Sequence, residues 1–566
     1  MHRDPAALAR ERYDLVVIGG GIFGIFAAWD AALRGLSVAI VEKHDWAHAA
    51  SANCFKIVHG GIRYLQHGDL KRVRQSSRER NILLRIAPHQ VRPLPIFVPT
   101  YGHGRSGKEI LALGVRLYEI ATWDRNRGIE DPVLRLPPAR VLSRADALRL
   151  YPELPSHGLT GGVVFHDGQM HSPARLAISV LRSAVDAGAR AANYLAATGF
   201  VRTGNRIEGI RARDQETGEE HEIRARYVLN AAGAWAEPLL DLGGVPASAI
   251  RSTFSRDAFF VLPRRIGPDV ALAVKGRTRD PDAILSREAR HLFLVPKGDC
   301  TLVGVWHVVY PGPPDDVIFP ARDLREFIDE INEAYPALRA RPEEVARTHH
   351  GLVLFGSNEA GAADLRYGHR SRVIDHAQEH GVEGLLTLIG LRYTTARDEA
   401  EQAVDRIALR LGPTVPRSRT SETPVRGGSI RDVAAMGREA RSRAPVTIGD
   451  RALDAILRAH GSSYEDVLRV AAEEPAWAEP VGGADVIGAD VVHAARLEMA
   501  RSLADLWFRR TELGSGTFPG EDTLRRVAGL MGSVLEWSGD RREREIAAVR
   551  AALPGTVERE GATAWS

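Results

Sequence analysis

The sequence predicts an α/β protein in which a Rossmann-like domain is interleaved with an antiparallel-sheet domain and followed by a C-terminal α-helical domain. Three observations lead there. A strand, a glycine loop, a helix and a second strand follow one another within the first 45 residues. Several strand-like runs crowd the stretch from 250 to 310. Beyond Gly412 the composition changes and helical periodicity dominates from 430 to 553. A chain of 566 residues is too long for one hydrophobic core, so several domains are expected.

The bulk composition narrows the function classes. Lys+Arg at 75 nearly balance Asp+Glu at 72, and the basic residues are spread along the chain, which leaves no nucleic-acid footprint. The two cysteines, Cys54 and Cys300, make neither a disulfide framework nor a zinc pattern, and no histidine–carboxylate grouping suggests a metal. A reducing, cytoplasmic location is the simple expectation. Residues 1–12 are polar and Arg-rich, unlike a secretory leader. The run Leu15–Ala28 holds four glycines and falls short of the about 20 apolar residues that a spanning helix needs.

The first element is the apolar run Asp14–Ile18, a buried parallel strand by composition. Gly19-Gly20-Gly21-Ile22-Phe23-Gly24 follows at once, then a helix over 25–34 closed by Gly35, then the strand 37–41 ending in Glu42. This is G-x-G-x-x-G in a βαβ unit. Gly19 permits the tight turn, Gly21 lets a pyrophosphate approach the backbone, and Gly24 lets helix and strand pack closely. The helix N-terminus offers N–H groups to phosphate, and Glu42 can accept from ribose hydroxyls. Downstream, the Gly60-Gly61 pair permits close approach of a flat ligand such as an isoalloxazine ring, with Arg63 and Tyr64 directly after it.

Residues 70–86 read as a helix, ended by a Pro-rich apolar run over 88–99. A strand is expected around 162–165. Ser172 then caps a helix that has Pro173 in its first turn and runs to about Gly188. Strands are expected at 207–213 and 221–228, the second running into the small-residue turn Asn230–Trp235. Phe259–Leu262, His291–Val295 and Thr301–His307 supply the antiparallel sheet. A helix covers 322–335. Leu385–Gly390 is a buried strand, and Leu391–Ala396 leads into a helix over 397–411, whose N-terminus could face negative charge on a reduced ring. Pro413, Pro416 and Pro424 mark a linker.

Together these segments resemble the FAD-dependent glycerol-3-phosphate dehydrogenases. The resemblance runs through Ile18–Gln66, with Lys56-Ile57-Val58-His59-Gly60-Gly61-Ile62-Arg63-Tyr64-Leu65 its most specific stretch. It continues through Pro88-His89, Asn230–Trp235, Thr301–Gly304, His460-Gly461-Ser462 and Arg509-Arg510-Thr511. It implies FAD as cofactor and hydride transfer from sn-glycerol 3-phosphate to flavin N5, giving dihydroxyacetone phosphate. Electrons then pass to a quinone. It leaves room for a homodimer and for peripheral contact with the inner face of the plasma membrane.

The cofactor set expected is Gly19, Gly20, Gly21, Ile22, Phe23, Gly24, Glu42, Lys43, Ser51, His59, Gly60, Gly61, Ala232, Gly233, Trp235, Gly390, Arg392, Tyr393 and Thr394. Arg63, Tyr64, Arg370 and Arg392 are the candidates to hold an anionic substrate, Arg63 and Arg392 acting in catalysis as well. The hydroxyl proton needs a base, for which His307, His349 and His350 are the candidates; His307 is the choice carried forward. Four segments depart from the family's pattern. Phe254-Ser255-Arg256-Asp257 stands where Lys-Gly-Ser-His is expected. Val305-Trp306-His307 stands in place of Thr-Thr-Asp. Gly351-Leu352-Val353-Leu354-Phe355 replaces Gly-Val-Arg-Pro-Leu and lacks a phosphate-binding arginine. Arg392 replaces a lysine. These departures keep two alternatives open: the same chemistry on another phosphorylated polyol, a 2-hydroxy acid or an amine, and a flavin-binding protein that has lost catalysis and serves a partner. The expected division is a cofactor domain over 1–90, 156–245 and 375–411, a substrate domain over 91–155 and 246–374, and a helical domain over 412–566.

Overall fold

The computed structural model describes residues 1–103, 107–247, 253–279, 289–356, 370–445 and 447–553. Its first sheet has a parallel core in the order Arg190–Ala192, Val38–Val41, Arg12–Ile18, Glu220–Asn230, Leu385–Ile389. Arg372–Asp375 closes one edge antiparallel. The hairpin Leu195–Thr203/Arg206–Asp214 extends antiparallel from Glu220–Asn230. Successive side chains of the first strand point to opposite faces. Leu15 and Val17 join the helices Ile22–Leu33, Pro173–Asp186 and Ala396–Leu411 in one core. Val16 and Ile18 join the hairpin and the helix Ala236–Leu242 in another. Both faces are covered, which is why Leu15–Ile18 and Val38–Val41 read as unbroken apolar runs.

The second sheet has nine strands. Its order is Arg347–Gly356, Thr253–Leu262, Cys300–Tyr310, Ala289–Lys297, Ala271–Arg279, Val91–Tyr101, Leu159–Met170, Ile57–Val58, with Arg140–Ser143 beside Leu159–Met170. All pairings are antiparallel except that of Ala271–Arg279 with Val91–Tyr101. The pairings of two segments differ from or add to what the sequence predicts. Leu159–Met170, assigned from sequence to the cofactor domain, pairs along its length with Val91–Tyr101 and so belongs to the second sheet. The Pro-rich run is itself a strand. Pro93, Pro95 and Pro99 lie at positions of one parity, so their missing donors all face one edge and the other edge is free to pair. A smaller correction concerns the glycine-loop helix, which begins at Ile22, inside the motif, rather than at Ile25.

Beyond the linker, helices Val433–Arg443, Asp450–His460, Tyr464–Glu473, Gly488–Leu497, Glu521–Val534 and Gly539–Ala551 close over two apolar cores. Buried charge ties them to the rest. Asp45, four positions past the second strand, accepts from Arg509 Nε at 2.5 Å and from Arg510 Nη1 and Nη2 at 2.8 and 2.7 Å. Arg175 donates to Glu498 at 2.5 and 3.1 Å, and Arg182 joins at 3.2 Å. Such pairs lose hydration on burial and persist only when several hydrogen bonds satisfy them, as they do here.

Candidate active site

The glycine loop is shaped by contacts that no side chain could survive. Gly19 has φ +109°, and a Cβ there would sit 2.6 Å from Ala231 O. At Gly24 a Cβ would lie 2.0 Å from Gly19 O, which is the close crossing of helix over strand. Gly21 is the N-cap of Ile22–Leu33 and supplies no side-chain cap. The first turn therefore keeps N–H groups for a ligand. Ser51 Oγ accepts from Ile22 N at 3.0 Å, bringing its loop against the helix start. Glu42 sits at the strand end and accepts from Gly20 N at 2.6 Å and His44 N at 2.8 Å. Burial raises its pKa, and the two backbone donors oppose that. Phe23 packs where a Cβ on Gly390 would fall, 2.1 Å away.

Across the sheet ends, Ala232 leads into the turn Gly233–Trp235, where Gly233 has φ +57° and open space beside it. Lys43 and Trp235 share one carboxylate. Lys43 Nζ lies 2.7 Å and Trp235 Nε1 2.8 Å from Asp315 Oδ1, with the ammonium 4.9 Å from the indole centroid. These two residues thus latch the substrate-side sheet to the cofactor side. Tyr393 sends its hydroxyl to Pro173 O at 2.7 Å, and Thr394 Oγ1 accepts from His59 N at 3.2 Å. His59 meets Tyr64 edge-on, 5.9 Å between centroids. Burial, then Arg392 and Arg63, push the His59 pKa down to about 3, so it is neutral at pH 7.

Gly60 and Gly61 pack against a buried polar group. Gly60 N donates to Asp167 Oδ1 at 2.6 Å, and Asp167 also pairs with Arg80, which is held by Tyr118 at 2.9 Å. A Cβ on Gly60 would fall 1.9 Å from that tyrosine oxygen. Gly61 has φ +82° and starts the turn Ile62–His67 that presents Arg63 and Tyr64.

Tyr64 is a buried ring at the centre of a group of arginines. Its side chain is 2% exposed, and its hydroxyl has no partner among the described residues. Three guanidinium groups surround its ring: Arg392 at 4.9 Å, Arg72 at 5.6 Å and Arg63 at 5.7 Å from the centroid. Arg370 stands at the rim, bonded to Asp69 at 2.7 Å, and Asp69 also caps the helix Leu70–Ile86 by accepting from Arg72 N at 3.1 Å. Sequence reasoning missed Arg72. Its only signal was its place one turn into that helix, directly after the Arg63 segment.

The three histidine candidates separate. His307 faces Asp257 across neighbouring strands, Nδ1 2.6 Å from Oδ1, and Ser255 Oγ donates to the same oxygen at 2.5 Å. Burial, then Arg290, push the His307 pKa down to about 4, with Asp257 opposing and Arg63 adding to the fall. Burial raises the Asp257 carboxyl, but His307 and Ser255 outweigh it and hold it below its usual range. His349 is stacked on Phe259 at 4.4 Å with Nδ1 3.0 Å from Asn53 Oδ1, a packed position well suited to holding the Asn53 loop. His350 lies against Phe319, 6.1 Å between centroids. The rewritten segments at 254–257, 305–307 and 351–354 lie side by side on three adjacent strands. The Phe355 side chain and residues 357–369 lie outside the described residues.

One cluster was not foreseen. His460, His493 and Glu498 come within metal-ligand reach of one another. Arg175 and Arg182 already neutralise Glu498 and stand where a cation would feel their repulsion, so the cluster is an ionic clamp between helices.

The helix start with its glycine N-cap, the glycines at close crossings and Glu42 at the strand end fit a flavin dinucleotide. A family model described as FAD dependent oxidoreductase matches residues 14–397. One described as the C-terminal domain of alpha-glycerophosphate oxidase matches 418–542. Glycerol-3-phosphate dehydrogenase 2 of Mycobacterium tuberculosis is 31% identical over 97% of this chain and 89% of its own. Glycerol-3-phosphate dehydrogenase of Synechocystis is 29% identical over 94% and 95%. The solved glycerol-3-phosphate dehydrogenase of Bacillus halodurans, complexed with FAD, shares the fold with a TM-score of 0.72 at 21% identity, covering 97% of this chain and 96% of that one. The chain therefore belongs to the glycerol-3-phosphate dehydrogenase family of FAD-dependent oxidoreductases, and FAD is its cofactor.

Proposed function

We propose that the protein oxidises sn-glycerol 3-phosphate to dihydroxyacetone phosphate and passes the electrons to a quinone. The observation that carries the substrate reading is the gathering of Arg63, Arg72 and Arg392 around the ring of the buried Tyr64, with Arg370 held nearby on Asp69. Guanidinium forks suit the oxygens of a phosphate ester, and a ring of them makes up for the arginine missing from 351–355. The Tyr64 hydroxyl can donate to a substrate oxygen that would otherwise be left unsatisfied.

Bound FAD supplies the hydride acceptor. The residues supply the rest. Arg63 and Arg392 hold the phosphate and align the secondary C–H. His307, held by Asp257 through Nδ1 at 2.6 Å, is the residue we assign to take the hydroxyl proton. A phosphate dianion beside Arg63 offsets that cation's pull on the imidazole, so substrate binding itself raises the basicity of His307. The cofactor side is expected to span 1–90 and 375–411 with most of 156–245, the substrate sheet the segments between, and the helical domain to brace both.

The quinone and membrane reading is supported by one helix. Lys108–Ala121 buries Val115 and Tyr118. Its other side leaves Ile110, Leu113, Leu117 and Ile120, with Trp123 just beyond, each more than half exposed. Apolar residues at that spacing flanked by Lys108 and Arg116 suit a helix lying in the headgroup region. Among the described residues no helix is long and apolar enough to cross a membrane.

The test is anaerobic bleaching of the flavin absorbance by sn-glycerol 3-phosphate, with glycerol, 2-hydroxy acids and amines as controls. Rapid bleaching by the phosphate ester alone is the expected result. Bleaching by a control but not by the ester would overturn the substrate reading.

A further inference from the structure

We propose that Glu399 acts on the flavin through the turn that carries Arg392, binding a proton when the flavin is reduced. The inference rests on that turn facing the flavin and is independent of which substrate delivers the electrons.

The fold puts the turn in place. Leu385–Ile389 runs parallel to Glu220–Asn230, which runs parallel to Arg12–Ile18, so all three strands end on the sheet edge where the glycine loop begins. Ligands of open α/β sheets bind outside that edge. The chain leaves it through Gly390, Leu391 and Arg392 and turns through Tyr393–Thr395 into the helix Ala396–Leu411. Glu399 lies in the first turn of that helix, where the dipole favours a carboxylate, and is only 7% exposed. Thr395 Oγ1 donates to Glu399 Oε1 at 2.6 Å, and the same hydroxyl lies 3.3 Å from Arg392 O. Ser371 Oγ accepts from Leu391 N at 3.1 Å, at the start of the turn. Glu399 Oε2 is buried with no hydrogen-bond partner among the described residues.

One hydroxyl proton thus has two acceptors. While Glu399 is ionised, its closer and charged oxygen holds that proton. A proton on Glu399 weakens the bond and lets Thr395 turn to the Arg392 carbonyl. The carboxyl is able to change state near neutrality. Burial lifts its pKa to about 7, the Ser371 and Thr395 hydroxyls and the Arg392 charge oppose the rise, and Asp398 adds to it. The charged groups that face Glu399 are therefore Arg392 on the turn and Asp398 on its own helix. Glu79, on the helix Leu70–Ile86 packed on the turn, is tied to Arg397 by two hydrogen bonds of 2.7 Å. Reduction by two electrons and one proton leaves the flavin site one negative charge richer. A second negative charge nearby is then disfavoured, so Glu399 holds a proton from solvent more tightly in the reduced protein. Well below its pKa of about 7 the carboxyl is protonated before and after reduction; the uptake appears from about 7 upward.

The experiment is reductive titration of the FAD-loaded full chain against a reference dye, with xanthine and xanthine oxidase supplying electrons, from about pH 5 to about pH 9. Between about pH 7 and 8 wild type should bind roughly half a proton or more beyond the flavin's own for each pair of electrons, the uptake that follows when reduction raises one group's proton affinity about tenfold. Glu399→Gln keeps an acceptor for Thr395 but does not ionise, so the extra uptake should vanish while flavin content stays at the wild-type level. A merely structural role would lower flavin content or melting temperature and leave this profile in place. Extra uptake unchanged in Glu399→Gln, or none in wild type, would overturn the coupling. Should Glu399→Gln yield no flavoprotein, infrared difference spectra decide. Reduction of wild type at about pH 7.5 should add a protonated-carboxyl C=O band, and the band should move to higher wavenumber in Thr395→Val, which lacks the donor. No band, or a band that stays put, overturns the proposal. Glycerol 3-phosphate takes no part in these measurements, so its failure to bleach the flavin would defeat the substrate reading alone.

Discussion

At the scale of single residues, the site is built from positions where a particular atom must be present or absent. Gly24 must lack a Cβ because Gly19 O occupies its place. Gly24→Ala should force the helix off the strand, and purified protein should show the loss as a low ratio of visible flavin to protein absorbance. A variant with full flavin content would contradict that packing argument. Arg63 is exposed on one side and close enough to His59 and His307 to shift both. Arg63→Ala should raise KM for the phosphate ester by roughly tenfold to a hundredfold, the worth of one charge-assisted contact of about 1.5–3 kcal/mol. An unchanged KM would remove Arg63 from the substrate site. Arg72 and Asp257 show why such residues hide in a linear sequence. Arg72 reads as one of many charges on a helix, and its meaning depends on Tyr64 coming to rest under it. Asp257 reads as one more charge on a strand until His307, fifty positions on, is set opposite it.

At the scale of elements, local rules and tertiary pairing divide the territory. The helix Pro173–Asp186 was legible from Ser172 and Pro173 because cap and first-turn chemistry are local, and the structure shows Ser172 Oγ accepting from Arg175 N at 3.4 Å. The βαβ unit was legible because glycine spacing and strand composition report the same geometry. Val91–Tyr101 was not, since proline propensity argues against a strand and only a partner along one edge overrides it. For the same reason the sequence does not say which sheet Leu159–Met170 joins: composition identifies a strand but not its neighbour. The helix Lys108–Ala121 makes a prediction at this scale. Leu113→Glu with Leu117→Glu should cut co-sedimentation with anionic vesicles several-fold, as two buried leucines are worth about 3–6 kcal/mol, and leave flavin reduction in solution unchanged. Equal co-sedimentation by variant and wild type would clear that face of any membrane role.

At the scale of the whole molecule, two buried ionic clusters hold the C-terminal helices to the cofactor side. Burial alone would raise the Asp45 pKa, but Arg510 and Arg509 outweigh it and hold it down at about 2. An unfolded aspartate titrates near about 3.9, so the clamp's stability is fully present above that pH and drains away as pH falls through about 2. Asp45→Asn should cost about 3–5 kcal/mol and flatten the acid limb of a thermal-melt series between roughly pH 4 and 2. A variant melting with wild type across that range would show that the helices dock by apolar packing alone.

The clamp also says something about the order in which the protein comes into being. Asp45 and Arg510 lie 465 residues apart in the chain. A ribosome releases the glycine loop among the first segments and the arginines that brace its neighbour among the last. Until then the Asp45 carboxylate lacks the Arg509 and Arg510 guanidinium groups that pair with it. We predict that flavin capture waits for this clamp: nascent chains stalled before residue 509 should emerge colourless, and yellow chains of that length would overturn the idea.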